Sequence, residues 1–196
     1  LAVGIYDMGA AAKTIARRLA RRPRSLVRAL PPMRSRRSRR ARRALAEASS
    51  VLFVCKGNIC RSPFAEQYAR TVLASTVEVT GAGYYPTHGR PSPMEAVDVA
   101  RELGVDLVSH SSRVLNEDMV RRSQAIFAFD AENLEYLVSN YPFARSKVHL
   151  IGLLNPAGPL EIDDPYSKDA SEFRRTYGHI AAALRTAKSE SNTSVA

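Results

Sequence analysis

The sequence predicts an α/β fold: four parallel strands in one sheet with helices on both faces, a three-layer sandwich set behind a basic N-terminal extension. Three observations lead there. Short apolar runs at 51–54, 125–129 and 148–151, with an alternating stretch at 76–80, have the length and composition of strands. Stretches with helical spacing lie between them. The lysines and arginines, finally, are so unevenly placed that the first 49 residues form a different kind of chain from the rest.

Residues 1–33 carry a weak helical pattern, with Ile15, Leu19, Leu26 and Leu30 on one side, interrupted by Pro23, Pro31 and Pro32. Seven arginines fall in the ten positions 34–43, a low-complexity stretch that cannot bury itself and is expected to be extended or frayed on its own. Residues 1–49 hold 14 of the 29 basic side chains and two acids, Asp7 and Glu47; the remaining residues hold 15 basic and 17 acidic ones. The net charge of +10 therefore belongs to the arm. A disordered or partly helical extension is the plain reading, and a transit peptide or lipid-surface arm is the functional one. Contact with nucleic acid or an anionic membrane would be a property of this arm alone. Residue 1 is Leu, and Met8 and Met33 stand as alternative starts.

From Ser50 onward one domain is expected, to about residue 188, with a flexible tail over 189–196. Strand 51–54 reads as buried on both faces. Pro63 marks a helix start running to about Leu73. Helices follow at 93–103, ended by Gly104, at 131–138, and at 170–187. No apolar run approaches the roughly 18 residues of a membrane span. The two cysteines, close together, read as reduced thiols in a cytoplasmic protein.

The chemistry gathers where the first strand ends. Cys55 is followed by Lys56, Gly57, Asn58, Ile59, Cys60, Arg61 and Ser62, and then by a helix. That order aims the loop N–H groups and a helix N-terminus at one point, as a phosphate dianion requires. The same field favours a thiolate at Cys55, whose attack on phosphorus forms a phosphocysteine and splits hydrolysis into two easier steps. Gly57 allows close backbone approach, and Asn58 tolerates a left-handed conformation. Arg61 is a planar fork for two phosphate oxygens, and Ser62 can donate to the Cys55 sulfur. A structural cysteine in an unrelated loop is the competing reading; the apolar strand before it and the Ser-Pro helix start after it argue against that.

On the run 51–66, and on Gly81-Ala82-Gly83, Gly89-x-Pro91, His110-x-x-Arg113, Asp130-x-x-Asn133-Leu134 and Asp164-Pro165-Tyr166, the chain resembles the low-molecular-weight protein tyrosine phosphatase family over residues 50 to about 188. The resemblance implies a four-stranded parallel sheet of the Rossmann-like or flavodoxin-like type, no metal, no cofactor, and hydrolysis of phosphotyrosine on a protein, with a bacterial tyrosine kinase as one partner by analogy. It also implies that the acid directly before Pro165, Asp164 rather than Asp163, protonates the departing phenolate and later activates water. Tyr166 is the expected aromatic wall, with Tyr84 or Tyr85 facing it. Cys60 reads equally as a redox partner of Cys55 or as a small buried residue. His110 is expected to support the loop, and the four histidines show no metal spacing. Two departures stand out: Gly81 replaces a Ser that helps brace the loop Asn, so bracing is looser or comes from His110, and Lys56 places a charge at the rim that favours acidic peptides.

Three rival readings stand beside this one. An arsenate reductase on this fold needs a further downstream cysteine, and none follows Cys60. A protein-arginine phosphatase carries Thr where this chain has Ile59. A phosphoprotein-binding module with a basic nucleic-acid- or membrane-binding arm has no need of the complete catalytic set, and in the arm only Tyr6 could stack on a base.

Overall fold

Residues 50–55 are apolar on both faces, and the fold places them in the middle of the sheet. In this computed structural model, which describes residues 31–193, the strands are β1 (Ser50–Cys55), β2 (Glu78–Gly83), β3 (Ala125–Ala128) and β4 (Val148–Leu150), all parallel in the order β2-β1-β3-β4. Register sets Phe53 beside Phe127, their rings stacked 5.8 Å apart, and Cys55 beside Gly83. The helices are α1 (Pro31–Glu47), α2 (Arg61–Val72), α3 (Met94–Glu102), α4 (Glu117–Arg122), α5 (Ala131–Asn140) and α6 (Ala170–Thr193), with 3₁₀ turns at Pro142–Lys147 and Ile151–Leu154. Right-handed crossovers run outward in opposite directions from the central pair, so α2 and α5 cover opposite faces. Phe64 of α2 stacks on Tyr177 of α6 at 4.0 Å.

Several boundaries differ from expectation for identifiable reasons. β2 begins at Glu78 and runs through Gly81-Ala82-Gly83, because pairing with β1 outweighs the weak strand propensity of these small residues. Their smallness serves the loop above. A Cβ on Gly83 would come within 2.6 Å of the Asn58 nitrogen and 2.7 Å of the Gly57 carbonyl carbon. α2 starts at Arg61, so Pro63 is its third residue, still inside the first turn where a missing N–H costs no hydrogen bond. α6 continues to Thr193.

The described part of the basic arm is helical, the second of the two readings given for the extension, and it packs on the body, whereas 34–43 on its own is expected to be extended or frayed. Ser38, Ala41, Leu45 and Ala48 fall on one side at helical spacing and are buried against α6 and the 151–154 turn. Arg36, Arg39, Arg40 and Arg43 point to solvent. Arginine-rich sequence cannot form a core of its own, but a narrow stripe of small and apolar positions suffices when a partner surface exists. The pattern read over residues 1–30, Tyr6 included, lies outside the described residues, as do 194–196. Beside α1, His149 of β4 is buried at one wall of an open cleft of about 530 Å³ that Arg40, Arg43 and Lys147 also line. Burial, then Arg40 and Arg37, pushes its pKa down to about 4. No described helix is long and apolar enough to cross a membrane.

Candidate active site

β1 delivers Cys55 to the carboxyl end of the sheet, where the chain turns through 56–60 into α2. The backbone N–H of Asn58 donates to Cys55 Sγ at 3.2 Å, and Ser62 Oγ lies 3.0 Å from the same sulfur. Ser62 accepts from Asn58 Nδ2 at 2.8 Å, so its own proton is free to point at the sulfur or at the Ala82 carbonyl, 3.3 Å away. Asn58 stands at φ 50°, the left-handed conformation that its residue type tolerates. At Gly57 the room a Cβ would need is taken by Arg90, whose guanidinium would lie 3.1 Å from it and donates to the Gly57 carbonyl at 2.6 Å.

Arg61 is 1% exposed, which is rare for an arginine and demands paired charge. Its Nη1 donates to Asp130 at 2.6 Å and to the Ile162 carbonyl at 3.1 Å, and its Nη2 donates to Asp164 at 2.7 Å. Burial works against the charge, but Asp164, Asp130 and Cys55 outweigh it and hold the guanidinium protonated. Nε finds no acceptor among the described residues, leaving a donor suited to a phosphate oxygen. Asp130, part of the Asp130-x-x-Asn133-Leu134 run but without a site signal of its own in the sequence, caps α5 by accepting from the Asn133 N–H at 2.7 Å. Asp163 turns away to Arg175, 3.4 Å distant, while Asp164 turns in.

The expected walls differ from one another. Tyr166 is 57% exposed, beside Asp164, whose carboxylate accepts from its backbone N–H. Tyr84 is half-buried, stacked 4.0 Å from Tyr136, with its hydroxyl accepting from Asn133. Burial raises its pKa. Tyr85 is exposed, its N–H donating to the Lys56 carbonyl, and Arg90 stacks over its ring at 4.4 Å. Lys56 is exposed, and Ile59 is buried in the loop. Cys60 is a buried thiol, its pKa raised by burial first and then by Cys55 and Asp164; its carbonyl accepts from Tyr177 of α6.

The loop is braced from outside by groups that the strand-loop-helix signal does not reveal. Asn58 Oδ1 accepts from the Arg113 N–H at 2.7 Å, and the Asn58 carbonyl is 2.6 Å from His110 Nε2. His110 has its pKa lowered by burial, so the neutral ring donates to that carbonyl. Residues 113–115 run along Gly83 as an added bridge, which fixes the Arg113 backbone. The Gly81 question is answered here. A Cβ on Gly81 would lie 2.8 Å from a Glu66 carboxylate oxygen, and buried Glu66 pairs with both Arg113 and Arg70. Bracing therefore comes from Arg113, His110 and Ser62.

Residues 50–193 match the family model described as low molecular weight phosphotyrosine protein phosphatase. The chain is 36% identical over 135 residues, 69% of its length and 89% of the relative's, to the low molecular weight protein-tyrosine-phosphatase Etp of Escherichia coli. Its structure resembles that of the Erwinia amylovora tyrosine phosphatase AmsI with a TM-score of 0.66 at 32% identity, over 71% of this chain and 90% of that one. It shares the fold of the YwlE arginine phosphatase from Geobacillus stearothermophilus, with a TM-score of 0.68 at 23% identity, over 74% and 94% of the two chains.

Proposed function

The chain belongs to the low molecular weight phosphotyrosine protein phosphatase family, and from that premise we propose that it hydrolyses phosphotyrosine on proteins through a phosphocysteine at Cys55. One observation carries the reading: the buried guanidinium of Arg61 closes the loop that holds Cys55 and also donates to Asp164. A phosphate bound by that fork would sit between nucleophile and acid. The Cys55 thiolate, with the Asn58 N–H and Ser62 hydroxyl directed at it, attacks phosphorus as the P–O bond to the phenol breaks. Asp164 gives its proton to the phenolate oxygen, then takes one from the water that releases phosphate from sulfur. Arg61 and the loop N–H groups hold the equatorial oxygens throughout.

The substrate ring stacks on Tyr166, and the Tyr85–Arg90 pair with Lys56 presents positive charge to residues flanking the phosphotyrosine, which suits an acidic peptide. A bacterial tyrosine kinase is one such protein. Ile59, apolar and buried, is the feature that favours tyrosine over phosphoarginine.

The test exploits what a general acid must do. Tyrosine has a phenol pKa near 10, so its departure needs a proton. Asp164→Ala should lower kcat/KM for phosphotyrosine by roughly 10²–10⁴-fold, with a defect that shrinks as the leaving phenol becomes more acidic. Asp163→Ala should show no such trend. An equal defect across leaving groups removes Asp164 from its role, and a wild-type preference for phosphoarginine overturns the substrate.

A further inference from the structure

The basic arm touches the segment that carries Asp164. Arg34, in α1, directs its Nη2 at the Gly158 carbonyl at 2.5 Å and at the Asn155 carbonyl at 3.5 Å. Those carbonyls belong to a tight turn in which Asn155 Oδ1 accepts from the Ala157 N–H and the Asn155 carbonyl accepts from the Gly158 N–H. From Gly158 the chain runs over Gly152, where any Cβ would collide with the carbonyls of Pro159 and Leu160. It then fixes Ile162, whose N–H donates to the Phe129 carbonyl at 2.8 Å, and two residues later reaches Asp164 on Arg61.

The segment 155–164 is thus tied at both ends. At one end are Phe129 and the buried Arg61; at the other are Gly152 and the guanidinium of Arg34. The second anchor is firm because α1 itself is seated, with Ala41 and Leu45 buried and the helix packed on the same 151–154 turn that Gly152 belongs to. A cationic donor on a carbonyl is among the stronger hydrogen bonds, and the one Nη2 group of Arg34 addresses both carbonyls of the turn. Four positions separate Gly158 from the Ile162 anchor, which lies two residues before Asp164, a reach of up to about 14 Å if slack. Holding Gly158 removes that slack and with it part of the entropy of bringing the carboxyl to the leaving oxygen.

We propose that Arg34 is a positioning residue for the acid step, so that the N-terminal helix is a working part of the phosphatase and not an appendage to it. The proposal rests on the reading of Asp164 as general acid. It assigns to residues before the family-matched region a role in setting the geometry of a group 130 positions downstream.

The experiment uses the 196-residue chain with Arg34→Met, which keeps the alkyl stem and helix propensity but removes the donors, and Arg34→Lys, which keeps the charge on a shorter, non-planar donor. Circular dichroism at the assay temperature selects folded protein. Across a series of aryl phosphates, Arg34→Met should lower kcat/KM about fivefold to tenfold for a leaving group as basic as tyrosine and less than about twofold for the most acidic phenol, with Arg34→Lys between wild type and Met. In an Asp164→Asn background the same substitution should add no further leaving-group dependence. A loss equal across leaving groups, or one that persists in that background, overturns the positioning role while leaving Asp164 in place. If Asp164→Asn alone lacks leaving-group dependence, the acid assignment falls first and takes this proposal with it.

Discussion

Two arginine-bearing segments flank β1, and they behave in opposite ways. Upstream, α1 carries seven arginines in ten positions, and the four at 36, 39, 40 and 43 face water. Downstream, residues 56–62 carry one, Arg61, which is buried and forked between two carboxylates. Charge density therefore points away from the chemistry. What gives a guanidinium chemical force is removal from water with its partners in place, because the effective dielectric around it then falls. Within α1 itself the same rule separates Arg34, half-buried against carbonyls, from the exposed Arg36, Arg39, Arg40 and Arg43.

The sharpest way to break this comparison is to make one conservative change on each side. Arg61→Lys keeps the charge but loses the fork, and should lower kcat/KM by about 10²–10³-fold. Arg39→Lys should change it by less than about twofold, since an exposed charge on a helix is largely screened. Comparable losses would mean that burial is not what distinguishes the two segments. A second substitution asks whether the upstream segment is seated. Leu45→Ala deletes a buried side chain between α1 and the body, and urea unfolding should show a loss of about 2–3 kcal/mol. A loss below about 0.5 kcal/mol would return α1 to the status of a frayed arm.

A further effect at the same junction is a pH dependence. His149 has an ordinary pKa of 6.5 that burial and the arginines of α1 depress to about 4. Between those values the unfolded chain binds a proton that the folded one refuses, so the unfolded state gains as pH falls. The contribution is fully present above 6.5 and is lost on the way down to about 4, by up to about 3 kcal/mol. His149→Gln should flatten that part of the stability profile. An unchanged slope would show that His149 is not the buried group that titrates there.

Legibility followed the range of the contacts. The Cys55 loop could be read because its geometry is made by neighbours: Asn58 and Ser62 reach Cys55 across three and seven positions. Three of the four strands could be read for the same reason, each being a short apolar run. The supports of the loop could not be ranked from sequence. Arg113, Glu66 and Asp130 become site residues through contacts 47 to 69 positions apart, and nothing local marks a Glu that will be buried under a glycine. α1 was hidden more deeply, since Ala41, Leu45 and Ala48 form a stripe whose meaning depends on a surface built at the other end of the chain. β2 was misplaced because the residues that matter there, Gly81 to Gly83, are selected for the space they leave and not for strand propensity.

The bond between Arg34 and Gly158 spans 124 positions, and α6, the other support of α1, comes later still. During synthesis α1 therefore emerges among the first described residues and waits, with no surface to dock on, until nearly the whole chain has left the ribosome. Its arginines keep it solvated through that interval. The segment 155–164 receives its Arg34 contact last, when the most distant contact of this set closes. Docking of the first helix is thus among the final steps of assembly, and it waits on residues at the far end of the chain.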